Sequence, residues 1–315
     1  MQAAPFHADL ANGPDGGVAH WLTTSDGLRI RAAHWDMADA KGTVLIFPGR
    51  TEYIEKYGPT AKSLQAHGYA SLAIDWRGQG IADRTQPNGA LGHVREFADY
   101  QHDVAAVLAC AAEVSLPRPY FVIAHSMGGC IGLRALMNGL DINAAVFSAP
   151  MWGVAASPLV RAYAWTITSI SVAMGFDNKI FPGKSEQSYV VHDEFDGNTL
   201  TGDPDTFAWL RRNLVQQPDL GLGGPSLRWL NKMLHETRQL SKLPSPDLPC
   251  LTFLGTQEAI VDTDRIRTRM ANWKNGTLRI IIDGRHEMLT DRPEMRTPIF
   301  EEIAAFFDAH RGDAR

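Results

Sequence analysis

Cysteine is scarce in this chain. Its three cysteines, Cys110, Cys130 and Cys250, lie far apart in 315 residues with no C-x-x-C pair. That spacing excludes a disulfide framework and a thiolate metal centre, and the apolar flanks point to buried, reduced thiols in a reducing compartment. Runs of one charge are also missing. The net charge is -5 and no tract of Lys or Arg occurs, so neither a nucleic-acid partner nor a polybasic membrane anchor is expected. Residues 1–17 lack the basic start and apolar block of a secretion signal, which makes cytoplasmic the expected location. One stretch, 151–176, carries Arg161 as its only charge. Gly153, Ser157-Pro158, Thr166, Thr168, Ser169 and Ser171 interrupt it, so it reads as a helix over an apolar pocket. Such a helix permits peripheral membrane contact without requiring it. No G-x-G-x-x-G follows a strand pattern, and neither His235-Glu236 nor His286-Glu287 extends to H-E-x-x-H. With no zinc-like spacing either, no cofactor and no metal are expected.

What the chain does contain is a rhythm. Continuous apolar runs at 43–47, 70–74, 120–124 and 144–148 alternate with amphipathic helical patterns at 57–67, 96–114 and 129–138. Strands without polar alternation are covered on both faces, which predicts a mostly parallel sheet flanked by helices. Ahead of them, 21–24 and 28–35 flank Ser25-Asp26-Gly27 as a hairpin. The rhythm stops near Pro150. Residues 151–243 show tryptophans and helical stretches at 206–214 and 227–240 but no comparable strand run. Past Leu243-Pro244-Ser245-Pro246, two further core strands are predicted at 250–254 and 278–282, then a helix at 295–310. The expected organisation is an α/β core from 1–150 and 244–315 with a helical insertion at 151–243.

Chemistry concentrates at strand ends. The strand pattern 120–124 runs into His125-Ser126-Met127-Gly128-Gly129, where a helix can begin. A serine on so tight a turn stands above the sheet, with the next backbone N–H aimed at a bound carbonyl oxygen. The turn needs small residues on both sides, which Gly128 and, with one extra methyl, Ala124 provide. A serine hydroxyl is a weak nucleophile without a base. His286, just past the last predicted strand, is the candidate, because loops after parallel strands converge on one edge. His125 neighbours the serine, but an adjacent side chain on a tight turn points away. The carboxylate that orients the base is expected after strand 250–254, where Glu258 is favoured over Asp262, a candidate helix cap, and over Asp283. Oxyanion donors are expected from the backbone N–H groups of Met127 and of Arg50 in Pro48-Gly49-Arg50-Thr51-Glu52. The Arg50 side chain is free to pair with Glu52 or to face an anionic substrate group.

These segments, together with Asp75-Trp76-Arg77-Gly78-Gln79-Gly80 and Gly284-Arg285-His286-Glu287, make the chain resemble the lysophospholipase L2 and monoacylglycerol lipase branch of the α/β-hydrolase superfamily, the serine aminopeptidase S33-like hydrolases. The resemblance covers nearly the whole chain. It implies an α/β-hydrolase fold with a mostly parallel eight-stranded sheet, Ser126 as nucleophile, His286 as base and position 258 as the acid. Where the family usually has Asp, this chain has Glu258; its first elbow glycine is Ala124, and Pro48-Gly49 stands for the commoner His-Gly. The resemblance also implies that 151–243 is a lid shaping an acyl pocket, with Trp152, Trp165, Phe176, Trp209 and Trp229 as lining. The expected activity is hydrolysis of a lysophospholipid or monoacylglycerol ester through an acyl-enzyme, with a small lipid or ester as partner. The rivals are a carboxylesterase acting on small soluble esters or amides, and a non-catalytic binding protein on the same scaffold. Oligomeric state is not legible.

Overall fold

The computed structural model describes residues 1–312. Nine strands form one sheet: β1 (Gln2–Ala3), β2 (Val18–Thr23), β3 (Arg29–Trp35), β4 (Thr43–Phe47), β5 (Ala70–Asp75), β6 (Tyr120–His125), β7 (Ala144–Ser148), β8 (Cys250–Gly255) and β9 (Gly276–Ile281). Their spatial order is β1-β2-β3-β5-β4-β6-β7-β8-β9. From β5 to β9 every pairing is parallel; β1, β2 and β3 complete one end antiparallel. Eight of these strands are those read from the sequence. The ninth is β1, two exposed residues opposite Trp21 and His20, too short to leave a pattern.

The helices are α1 (Ala8–Ala11), α2 (Gly58–Ala66), α3 (Tyr100–Glu113), α4 (Met127–Met137), α5 (Pro158–Ala173), α6 (Tyr189–His192), α7 (Pro204–Gln216), α8 (Leu227–Leu240), α9 (Thr263–Ala271) and α10 (Pro293–Ala309). Strands β4, β6, β7 and β8 are buried at every position, as their unbroken apolar runs require. The last predicted core strand needs correction. β9 closes the sheet edge, its residues are half-buried or exposed, and Ile282 beyond it is 71% exposed. It has a strand neighbour on one side alone, so its isoleucines reflect β propensity more than burial.

Among the described residues no strand lies between β7 and β8; that stretch holds α5 to α8. Their starts follow local chemistry. Ser157, Asp203 and Ser226 accept backbone N–H bonds at the first turns of α5, α7 and α8, and Pro158 and Pro204 occupy first-turn positions. No described helix is long and apolar enough to cross a membrane.

One topological fact positions the site. After β4 the chain moves to β5 on one side, then returns past β4 to β6 on the other. The loops leaving β4 and β6 therefore diverge and open a crevice at the carboxyl edge of the sheet.

Candidate active site

Ser126 sits at that crevice, between the end of β6 and the start of α4, with φ 49° and ψ -116°. A left-handed, non-glycine residue at this point is strained backbone held in place by its surroundings. Close packing does the holding. A Cβ on Gly128 would lie 2.0 Å from the Phe47 carbonyl oxygen, so only glycine lets α4 approach β4 this closely. Ala124 is fully buried, and its methyl fits because it faces Gly132 on α4.

His286 lies in the loop after β9 and is 3% exposed. Its Nδ1 is 2.8 Å from Glu258 Oε2, and the Glu258 side chain is wholly buried. The other oxygen, Oε1, accepts N–H bonds from Ile260 at 2.6 Å and Val261 at 3.1 Å. Burial pushes the Glu258 carboxyl up, but the His286 bond and charge and the two N–H donors together hold it below its ordinary value. The acid and base loops touch at Gly255, where a Cβ would meet Gly284 O at 2.0 Å and where Gln257 N donates to that same carbonyl.

The other two carboxylates have different partners. Asp262 Oδ1 caps α9 through Arg265 N–H at 3.1 Å, and its Oδ2 lies 3.0 Å from Arg161 Nη2. Asp283 is exposed and accepts from Gln257 Nε2. Of the three, Glu258 is the one that meets His286.

In the loop after β4, the Gly49 N–H donates to Glu52 and the Thr51 N–H donates to Gln79 Oε1. Between them, the Arg50 N–H has no acceptor among the described residues, and neither has the Met127 N–H at the start of α4. Two unclaimed donors thus border the Ser126 turn. The loop is braced from below by Trp76, whose Nε1 donates to Pro48 O at 2.9 Å.

A charged cluster that sequence reasoning missed underlies the site. Lys56 Nζ is bonded to Glu52 and lies 2.7 Å from Glu287 Oε1, all three side chains being almost fully buried. His125 Nε2 is 3.5 Å from each of those carboxylates, and its Nδ1 is 3.0 Å from Ser148 O. The His125 ring packs against the His286 ring with centroids 4.7 Å apart. Glu52, His125 and Glu287 place ligand-type atoms within 4.8 Å of one another, but the Lys56 ammonium supplies the cation there. The sequence left Arg50 two options, Glu52 or an anionic substrate group; in the fold Glu52 goes instead to Lys56, the Tyr57 hydroxyl and Gly49 N–H. The available signal was Lys56, an opposite charge four residues after Glu52.

The five aromatic residues expected to line an acyl pocket are scattered. Trp152 packs on Phe147 and Trp273 in the core. Trp165 lies over His235 of α8. Trp209 donates to Leu10 O, and Phe176 is 58% exposed. Of the five, Trp229 is the one that meets the β4 loop, with the Arg50 guanidinium 5.2 Å from its ring. Its neighbours assign the other four to packing or surface.

The three thiols are free and buried; burial pushes Cys110 up to about 11 and Cys250 up to about 12, which leaves them inert.

Comparison with known proteins places this geometry. The chain is 27% identical over 268 residues to a probable lysophospholipase L2 of Haemophilus influenzae, spanning 84% of this chain and 83% of that one. It is 29% identical over 299 residues to lysophospholipase L2 of Escherichia coli K12, spanning 90% and 84%. Among solved structures, a soluble variant of monoglyceride lipase from Saccharomyces cerevisiae aligns with a TM-score of 0.72 at 20% identity, covering 92% of this chain and 94% of that one. A thermostable carboxyl esterase from Bacillus coagulans aligns at 0.74 with 14% identity, covering 94% and 99%. Both structural likenesses establish the α/β-hydrolase fold. The family model described as serine aminopeptidase, S33 matches residues 38–293, and the chain belongs to that family of hydrolases.

Proposed function

We propose that this protein cleaves the carboxylic ester of a single-acyl lipid, a lysophospholipid or monoacylglycerol, by nucleophilic catalysis at Ser126. It is an ester hydrolase of the lysophospholipase and monoglyceride lipase type. The observation that carries the mechanism is the Glu258–His286 pair, whose imidazole packs on His125 next to the strained Ser126, with two unclaimed N–H donors bordering that turn.

The steps follow from that arrangement. Ser126 Oγ attacks the ester carbonyl while its proton passes to His286 Nε2. Glu258 fixes the tautomer through Nδ1 and stabilises the imidazolium. The Arg50 and Met127 N–H groups donate to the tetrahedral oxyanion. Collapse breaks the ester bond, and His286 returns the proton to the departing glycerol oxygen. Water then attacks the acyl-serine by the same route, releasing the fatty acid and restoring the hydroxyl.

Residues 151–243 act in this reading as a lid over the carboxyl edge of the sheet. Support comes from bonds that tie this stretch to the loops below it. Arg84 donates to Asp219 O and Gly221 O, and Glu287 N–H donates to Leu200 O. The outer face of α5 is assigned to the lipid surface. Leu159, Tyr163, Ile170 and Met174 recur there at helical spacing and are all exposed, while Ala164 and Thr168 on the opposite face are buried.

The test is hydrolysis of a long-chain lysophospholipid and a monoacylglycerol by wild type and Ser126→Ala. Loss of turnover in a folded variant is expected; retained full activity overturns the assignment.

A further inference from the structure

Two arginines tie the stretch before α8 to the loops of the sheet edge, and they differ in one respect. Arg84 is satisfied: its guanidinium donates to the carbonyls of Gly78, Gly80, Asp219 and Gly221. Arg50 is not. One of its five N–H groups reaches a partner, Gly223 O, at 2.6 Å from Nη2. Its Nε is enclosed with no partner, and no carboxylate pairs with it among the described residues. The Trp229 ring lies on one side of the guanidinium, and the Gly92 backbone closes another, since a Cβ there would come within 2.2 Å of Nη2.

A desolvated guanidinium with an orphan donor is costly unless an anion completes it. Burial pushes Arg50 down to about 10, with no carboxylate opposing the shift. The residue as a whole is half-buried. Its place in the chain gives the identity of that anion. The Arg50 backbone N–H is one of the two unclaimed donors beside Ser126, so its side chain leaves from the point where the ester carbonyl is held. In a lysophospholipid the glycerol carries a phosphodiester on the carbon beyond the acylated part of the molecule, within reach of a residue that starts at the carbonyl. A monoacylglycerol carries a neutral hydroxyl at that point.

We propose that the Arg50 side chain is the phosphate-recognition residue of this site, and that it directs the enzyme to lysophospholipids over monoacylglycerols. Guanidinium is suited to the task, because its planar fork offers paired donors to phosphate oxygens. The proposal rests on the ester-hydrolase reading above.

The test compares kcat/KM for a lysophosphatidylethanolamine and a monoacylglycerol of the same acyl chain in wild type, Arg50→Gln and Arg50→Lys. The readout is the ratio between the two substrates. It should favour the lysophospholipid in wild type, fall roughly 10- to 100-fold in Arg50→Gln, as expected for a charge-assisted pair, and be partly restored in Arg50→Lys. An unchanged ratio, with both substrates losing equally, would make Arg50 a structural tie and overturn the proposal. A wild-type preference for monoacylglycerol would also overturn it while leaving the ester-hydrolase reading intact; failure of wild type on both lipids would sink that reading instead. A second measurement depends on no variant's activity on lipid. sn-Glycerol 3-phosphate should inhibit wild-type hydrolysis of a p-nitrophenyl ester competitively, and absence of inhibition where glycerol is equally inert counts against the phosphate site.

Discussion

Lys56 is a residue whose loss the fold should tolerate poorly. It neutralises two buried carboxylates, Glu52 and Glu287, within a cluster that also holds His125. Burial pushes Glu287 up, yet the Lys56 and His125 charges overcome that and hold it well below the ordinary carboxylate range. A depressed carboxyl contributes stability above its unfolded value, and that contribution is lost as pH falls toward the folded one. Lys56→Met removes the main cause of the depression and leaves two buried carboxylates with His125 as their remaining cationic neighbour. The expected cost is about 3–5 kcal/mol near neutral pH, as for breaking a buried pair from one side. The deficit should shrink toward pH 5 as the carboxyls take up protons. Urea unfolding of both proteins at several pH values checks this, and a pH-independent difference would contradict the argument. At the same scale, Glu258→Gln and Asp262→Asn separate two carboxylates that the sequence left open. Glu258 meets His286, whereas Asp262 caps α9 and meets Arg161. Glu258→Gln should lower kcat by about 10³–10⁴-fold through the wrong tautomer, and Asp262→Asn should act mainly on stability.

At the scale of elements, the β6–Ser126–α4 unit depends on the distance between helix and sheet. Gly128→Ala would drive a methyl into the Phe47 carbonyl, where the available gap is 2.0 Å. The helix must then move away, and the N–H of Met127 moves with it. Loss of at least about 1–3 kcal/mol is expected from overpacking, with a fall in kcat larger than the fall in stability explains. Gly132→Ala is a milder case. Its methyl would come within 3.3 Å of both the Ala124 methyl and the Phe47 ring, so a smaller Tm decrease with activity retained is expected. Equal losses in the two variants would show that the elbow is less dependent on spacing than argued.

For the whole molecule, the exposed apolar face of α5 is a feature that stability does not explain. Leu159 is 83% exposed and Met174 62%, on a helix whose buried face already packs on α8 through Thr168 and Asn231. A net charge of -5 argues against electrostatic adsorption to anionic lipid, so any attachment rests on apolar contact. Co-sedimentation with neutral phosphatidylcholine vesicles should drop severalfold in Leu159→Ser/Ile170→Ser, with hydrolysis of a soluble short-chain ester kept. Equal vesicle binding by wild type and variant would remove the lipid surface from the account.

The strands, the helix that starts at the serine and the loop position of His286 were legible in the sequence because each follows from local pattern. Unbroken apolar runs mark β4, β6, β7 and β8, and small residues around Ser126 mark a tight turn. The exposed edge at β9 was misread for the same reason, since isoleucines in a strand look alike whether or not a further strand covers them. The rest depended on contacts between segments far apart in the chain. His286 meets Glu258 across two loops that only the β8–β9 register aligns. Glu287 is brought to Lys56 from more than two hundred positions away, which takes Glu52 into a Lys56-centred cluster, closes one of the two options the sequence left to Arg50, and leaves its guanidinium with a single carbonyl. Burial and charge pairing are properties of assembled surfaces, so only the tertiary structure could decide which carboxylate each base and each cation would find.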